Sequence, residues 1–522
     1  QAAIVIMQLC QIPRELYRGV DSRTILAKSG RLLHVTEGVA EYDAFHLSRQ
    51  LPRRRPLDCF ISHSWQTPGW RKVLCLRCRM LLPWAWGLSL ALALCGMIFE
   101  NMKIIRLPFG TLDTYVEAGI GRGMVCYHEN ILWTWGTVVT CLLVLRVGHH
   151  VHPKRMYFLD RCCISQTDID KKLAGIQKLT SFLARSRKLV IMWDVPYFSR
   201  LWCSCEVAVF SKTRGTQHIE FVPLQLPVVT LMLLMFHTLS CVAQSTLAKY
   251  TVSSPSLVKF MDANFDQFWQ HLILYYIMCA FTFTLSYLML APLLYWYLRQ
   301  QLRDRRTIMD QLARYKLREA SVTAESDRSV VESIVKEHFG CIEEFDRYMQ
   351  NEFRAHSEKW MGSRMFIPYQ HVLFASLANA TSWFSFIEFP KWPNHDAHVL
   401  CALCLQLFCG DPMAFWLSGK LVEKLDKRKH GFIVGPVLLA MIFACVQSAI
   451  GPFISPALSL AWKVPIVIVT VIGTWWIYGI MPTLSREDFP ATPSELDSDS
   501  DNSSDRLDST DDEMLWGSDA QE

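Results

Sequence analysis

Asp411 is the residue most out of keeping with its surroundings: it is a carboxylate inside the apolar stretch Ala397 to Leu417, set between Gly410 and Pro412. A carboxylate in hydrocarbon is costly unless it meets water or a partner, so a charge there marks either an ion path or a helix break. Asp followed by Pro is a good helix start, and the sequence favours that capping reading over a transport site. His237 and His371, also in apolar stretches, raise the same question more weakly. Cys75-Leu-Arg-Cys78 has the spacing of half a zinc site, but no second Cys or His pair lies nearby. The pair reads instead as exposed or acylated thiols beside a membrane span, and no metal is expected. Cys401 and Cys404 repeat the spacing inside a hydrophobic helix. Asn379-Ala-Thr381 has the glycosylation pattern but falls in a span and is discounted.

A second group lies in the more polar parts of the chain: Ser62, His63 and Ser64 after one short apolar run, Arg161 after another, and Trp202 and Glu206 on one amphipathic stretch. A carboxylate aimed at a bound ligand stabilises positive charge that develops there. On its own, however, a Glu on an amphipathic helix is a solvated charge. His63 equally reads as a loop cap, and Trp202 as core or interface rather than a stacking platform.

The elements that must position these groups fall into two kinds. Of the 522 residues, 51% are hydrophobic and 19% charged, below the roughly 25% charged of soluble domains. A spanning helix needs about 20 apolar residues. Stretches of that kind are Leu81 to Phe99, Ile131 to Val147, Phe221 to Ala248, Leu272 to Leu298, Met365 to Ile387, Gly431 to Ser455 and Val464 to Met481. The broken segment Ala397 to Leu417 makes an eighth. Cationic flanks stay cytoplasmic. Arg71, Lys72, Arg77 and Arg79, then Lys154 and Arg155, then Arg299, Arg303, Arg305 and Arg306, and finally Lys420 to Lys429 all fall on one side if there are eight crossings. Residues 1–80, 149–220, 299–364 and the tail then share the cytosol. The 18 cysteines are scattered, many in apolar spans, which fits a reducing setting. The chain starts at Gln1 with no signal-peptide pattern, so a start further upstream is expected.

Between the spans, short apolar runs alternate with helical patterns, the signature of a parallel sheet. Asp58 to Ser62, Met156 to Asp160, Lys188 to Trp193 and Ile219 to Leu224 read as strands. Ile169 to Arg185 reads as a helix with Leu173, Ile176, Leu179 and Leu183 on one face, and Tyr197 to Lys212 as another. Ligands of such sheets bind at the carboxyl ends of the strands, where Ser62, His63, Ser64 and Arg161 fall.

Residues 299–364 continue the fourth span as a helical stalk. Two amphipathic helices follow, the first capped by Ser326 and ended by Gly340, the second striped by Ile342, Phe345, Met349 and Phe353. These faces read as packing surfaces against the sheet domain. From Glu495 to Glu522 there are eleven Asp or Glu against one Arg, which predicts a disordered acidic tail and leaves the rest of the chain basic. Its Ser-Asp alternation and Met514-Leu-Trp516 suit kinase or docking sites. No phosphate-cradling glycine loop or catalytic triad is visible, and no nucleic-acid partner is expected.

The run Asp58-Cys-Phe-Ile-Ser-His-Ser64 resembles the first box of Toll/interleukin-1 receptor/resistance (TIR) domains. Phe158-Leu-Asp-Arg-Cys-Cys-Ile-Ser-Gln166 is similar to their second strand and following loop. Ser186 before the third strand, then Tyr197 and Trp202-Cys203-x-x-Glu206 on the helix after it, give the strongest similarity. The chain also resembles TIR-like membrane proteins of microalgae, which carry membrane insertions and a segment like Asp327-Arg328 through Phe345-Asp346-Arg347. The resemblance covers Asp58 to Leu224 less the inserted hairpin.

Taken with the apolar spans and their charged flanks, it gives the expectation of an α-helical polytopic membrane protein of about eight spans with an interrupted cytosolic α/β flavodoxin-like sheet domain. The parts are an N-terminal segment 1–57, the sheet domain 58–80 and 149–224 around a membrane hairpin 81–148, a second hairpin 225–298, a helical segment 299–364, a four-span region 365–481 and a tail 482–522. It further implies that Glu206 is catalytic in hydrolysing NAD, a substrate and not a resident cofactor; Ser62, His63 and Arg161, from their place at the strands' carboxyl ends, and Trp202, as a stacking ring, are the candidates for binding it. Cleaving an N-glycosidic bond builds oxocarbenium character on the ribose, which a carboxylate stabilises. The alternatives are a non-enzymatic scaffold that self-associates through the sheet domain and a transporter or channel built on the C-terminal spans. The implied partners are the lipid bilayer and other copies of the domain.

Overall fold

A computed structural model describes residues 12–34, 44–101, 111–116, 125–250, 268–360, 367–382, 395–450 and 459–477, apart from 53, 323–324 and 429, with a few isolated positions between 256 and 264. The expected acidic tail lies outside the described residues. The described chain is mostly helical, with a six-stranded mixed sheet and a separate two-stranded one.

The strands are β1 Arg18–Asp21, β2 Arg49–Gln50, β3 Cys59–His63, β4 Thr111–Val116, β5 Val125–Asn130, β6 Met156–Phe158, β7 Leu189–Trp193 and β8 Ile219–Pro223. The main sheet runs β2-β1-β6-β3-β7-β8. β3 pairs in parallel with β6 on one side and β7 on the other, and β7 with β8. Every residue of β3, β6 and β7 is buried, as expected of parallel strands covered on both faces. Phe60 stacks on Phe158 with ring centroids 4.4 Å apart, and Phe182 reaches Phe158 from the covering helix at 4.6 Å.

Four sequence readings need correction here. The segment 1–57 is not separate from the sheet: β1 adds antiparallel to β6, and β2 to β1. Its anchor Tyr17 is fully buried and its hydroxyl donates to the Arg55 carbonyl at 2.8 Å. Asp160 is not the end of a strand but the first residue of the short helix Asp160–Cys163. The Ile169 to Arg185 helix breaks at Lys178 into Ile169–Gln177 and Leu179–Ala184; Leu179 and Leu183 are buried, while Leu173 is 55% exposed. Finally, the inserted hairpin 81–148 is not helical throughout: β4 and β5 pair as antiparallel strands within it.

Four helices are long and apolar enough to cross a membrane among the described residues: Gly69–Gly96, Leu226–Gln244, Leu400–Leu425 and Gly431–Ile450. A fifth arises if Ala280–Leu288 and Ala291–Ala313, which meet at 65°, are one span. The first runs without a break across the expected boundary at residue 80 and tolerates Pro83. The second begins only after β8, which claims Phe221. Ile131–Val147 and the apolar part of Leu460–Ile477 are shorter helices, and Tyr369–Ala375 and Leu377–Ser382 are joined at Ser376. Residues 365–366, 383–387, 451–455 and 478–481 of the expected spans lie outside the described residues.

The Asp-Pro signal is overridden. The chain passes from His395–Leu405 through a π-turn at Gln406–Gly410 into Asp411–Leu425, with Gly410 helical, so Asp411 does not cap a break. Cys75 and Cys78 are buried, not exposed.

The helices Ser326–Phe339 and Ile342–Tyr348 pack on the sheet domain. Val331, Val335, Ile342, Phe345, Met349 and Phe353 are all buried in its core. Ser326 is the first helical residue and not the cap, which falls on Glu325. Gly340 ends that helix at φ +83°, a left-handed conformation that suits glycine. Lys212 lies over the Phe339 ring at 4.4 Å, and Phe198 meets Phe353 edge to face at 5.9 Å.

Candidate functional site

Three strands deliver polar residues to one edge of the sheet: β3 ends in Ser62-His63, Asp160 follows β6 after Leu159, and Asp194 directly follows β7. The helix Leu201–Arg214 starts after the turn Tyr197–Ser199 and carries its apolar face, Leu201, Cys205, Ala208 and Val209, into the core. That docking sets Glu206 against the end of β3.

Glu206 Oε2 accepts a short hydrogen bond from Ser62 Oγ, and Ser62 Oγ lies 2.5 Å from the Tyr197 hydroxyl. With Ser62 donating to the carboxylate, Tyr197 donates to Ser62, which gives a relay in one direction. Ser62 and Tyr197 are fully buried; Glu206 is half-buried. Burial pushes the Glu206 carboxyl up to about 8; the Ser62 hydrogen bond opposes that and the negative charge of Asp160 adds to it. Glu206 is therefore largely protonated at neutral pH and becomes a carboxylate above it.

Successive residues of a strand face opposite sides, so His63 leaves the Glu206 side and enters a second cluster. Its ring meets Trp65 edge-on at 4.4 Å, Trp65 Nε1 donates to Asp160 Oδ2 at 2.8 Å, and Lys72 Nζ sits 4.9 Å from the Trp65 ring. Lys72 is fully buried, and its ammonium has no hydrogen-bond partner; the same holds for His63 Nε2, Thr67 Oγ1 and Asp194 Oδ1. Burial together with the Lys72 charge holds the imidazole of His63 well below its ordinary value, so it is neutral. Burial raises Asp160 and lifts Asp194 to about 6, each against the pull of Lys72. Unpartnered buried polar atoms are rare in native proteins and concentrate where a ligand or water completes the set.

Of the predicted site residues, Ser62 and Glu206 touch, and His63 is one residue away on the opposite face. Arg161 and Trp202 do not join them. Arg161 Nη1 donates to the His34 carbonyl at 2.8 Å, tying the N-terminal segment to the sheet. Trp202 Nε1 donates to Asp327 Oδ2 at 2.9 Å and serves the interface with the Ser326–Phe339 helix. Sequence reasoning passed over Lys72, Asp160 and Asp194. Lys72 reads as one of several cations flanking a span, whereas two Asp residues just beyond consecutive parallel strands are a legible signal.

His237 and His371 are both buried, and neither ring nitrogen of His237 has a hydrogen-bond partner. The first is ringed by Phe236, Tyr287, Phe415 and Phe443, and the second meets Thr230 Oγ1 at 2.7 Å. Among the described residues, no group of three or more His, Cys, Asp or Glu is placed to hold a metal ion. Comparison with protein-family models, with curated proteins and with solved structures gives no match.

Proposed function

We propose that this chain is a membrane-anchored, TIR-like signalling protein whose sheet domain hydrolyses the N-glycosidic bond of NAD through Glu206. The observation that carries the reading is the Tyr197–Ser62–Glu206 relay at the carboxyl end of β3. The parallel strands add support: numbered in chain order they lie 2-1-3-4, the start of the flavodoxin-like order, whose ligands bind at this edge.

In the reaction, the ribose C1–nitrogen bond breaks and its electron pair leaves with nicotinamide, whose ring becomes neutral. The oxocarbenium left behind is stabilised by ionised Glu206, water adds to C1, and the released proton goes to solvent. The products are nicotinamide, ADP-ribose and one proton. Ser62, fixed by Tyr197, orients the carboxylate.

The test is NAD consumption by membranes bearing the wild-type chain or Glu206→Gln, at matched expression and with the domain forcibly clustered. Turnover in the wild type that is lost in the variant is the expected result; equal turnover, or none in either with clustering verified, refutes it.

A scaffold reading has its own support. Ile169 and Leu173 are 73% and 55% exposed on the helix Ile169–Gln177, which follows the short helix Asp160–Cys163, an apolar face of the kind that pairs copies of a domain. On that reading Leu173→Asp abolishes clustering and Glu206→Gln leaves it intact.

We further infer eight crossings with the sheet domain cytosolic. The ion pairs of Arg299 and Arg306 with Asp426, both at 2.5 Å, support a shared side for residues near 299 and near 426.

A further inference from the structure

We propose that Asp411, Asn379, Gln406 and Gln447 form a binding site for a single sodium-like cation inside the bundle of apolar helices. The four side chains come from four elements: Leu377–Ser382, the π-turn Gln406–Gly410, Asp411–Leu425 and Gly431–Ile450. All are buried, with exposures of 0%, 0%, 1% and 6% for Asn379, Gln406, Asp411 and Gln447.

Asn379 Nδ2 donates to both carboxylate oxygens of Asp411 at 3.2 and 3.3 Å, and Gln406 Nε2 donates to Oδ1. Asn379 and Gln447 meet amide to amide at 3.4 Å in both directions. The π-turn makes the first contact: an i to i+5 repeat brings Gln406 over Asp411, which an α-helix would rotate away. Gly410 makes the last. A Cβ there would stand 2.7 Å from Ile450 Cδ1, so glycine lets the Gly431–Ile450 helix, which carries Gln447, pack here without displacing the Ile450 side chain.

The chemistry of the ligand follows from what the cluster lacks. The groups acting on the Asp411 carboxylate are the Ser376 hydroxyl and the amides of Asn379 and Gln406, and among the described residues it enters no salt bridge. Hydrogen bonds solvate a buried carboxylate but leave its charge uncompensated. Meanwhile Gln406 Oε1 is buried with no hydrogen-bond partner, although the nitrogen of the same amide is on Asp411. An acceptor thus stands idle beside a carboxyl that has no cationic partner among the described residues. A cation bound by oxygen answers both needs. One carboxylate with amide oxygens and no second acid balances a single charge, whereas divalent ions gather several carboxylates. The terminal amide torsions are broad, so Asn379 and Gln447 can turn their oxygens inward at little cost.

The experiment uses the full chain purified in detergent. Its thermal unfolding midpoint is measured as NaCl replaces choline chloride at constant ionic strength, at pH 5.5 and 8.5, beside equilibrium binding of radioactive sodium. The expected result is a saturable rise in the midpoint and binding near one ion per chain. Asp411→Asn should lose both, and Gln406→Leu should raise the half-saturating concentration roughly ten-fold. If Asp411→Asn does not fold, Gln406→Leu and wild-type sodium binding carry the test. No bound sodium above the choline background overturns the proposal. So does a midpoint that follows pH alone and depends on Asp411, which would make the cluster a proton site.

Discussion

Replacing Glu206 by Gln should stabilise the protein at high pH and leave it unchanged at low pH. The Glu206 carboxyl titrates near 8 in the folded chain against an ordinary 4.5, because burial disfavours the anion more than Ser62 favours it. Between those two values the native state holds more protons than the unfolded one, so stability falls as pH rises from 4.5 to about 8 and is level above. The full shift corresponds to a ceiling of about 5 kcal/mol; because Glu206 is only half-buried, we expect about half of that. Gln keeps the shape and can still accept from Ser62, but cannot ionise. The assay is thermal unfolding in detergent, followed by tryptophan fluorescence. For a unit the size of the sheet domain, the variant should melt about 5–10 °C above wild type at pH 9 and within about 1 °C at pH 5. A gap of equal size at both pH values, or a variant less stable at pH 9, would refute the reasoning.

The same titration predicts that NAD hydrolysis, which needs the anion, rises with pH through about 8. Ser62→Ala removes the hydrogen bond that lowers the Glu206 pKa, so its pH–rate profile should lie to the alkaline side of wild type; an unmoved profile would detach Ser62 from Glu206. Phe60→Ala empties a site that is 1% exposed and stacked on Phe158, and should cost about 3–5 kcal/mol in denaturant titration of the sheet domain. Asp426→Asn weakens the pairs with Arg299 and Arg306; hydrogen exchange at residues 420–428 should accelerate, and unchanged protection would mean that these pairs add nothing.

Much of the sheet can be read from the chain because parallel strands buried on both faces must be apolar runs, and Phe60, Phe158, Val190 and Phe221 stand in such runs. The antiparallel strand Arg18–Asp21 cannot be read that way: four residues with a charge at each end carry no strand pattern, and the strand exists because Tyr17 and Val20 find the core. Leu173 misleads in the opposite sense. It fits a helical face, yet it stays exposed while Ile176, Leu179 and Leu183 of the same face reach the core. At Asp411 a strong local signal loses to tertiary context, since Asn379 and Gln406 supply from neighbouring elements the partners that a cap would take from its own backbone. Ser62 and Glu206 lie 144 positions apart, and their contact follows from the topology of β3 and the helix after β7, which sequence spacing alone cannot supply.

The course of the chain ties the apolar helices to the site more tightly than an anchor requires. The helix Gly69–Asn101 begins six residues after β3 ends and continues without a break into the first apolar span. Lys72, in its first turn, faces Trp65 and lends its charge to Asp160 and Asp194. Three residues after β8, the helix Leu226–Tyr250 starts in the same way. A rotation or tilt of the first span is therefore a displacement of Lys72 relative to two carboxyls at the strand ends. Asp160 in turn contributes to the raised Glu206 pKa. Moving Lys72 away would raise Asp160, reduce its negative charge and ease the ionisation of Glu206, whereas moving it closer would do the reverse. Joining Gly69–Asn101 to the sheet by a flexible insertion at residues 66–68 should break this coupling while leaving the spans and the sheet each folded.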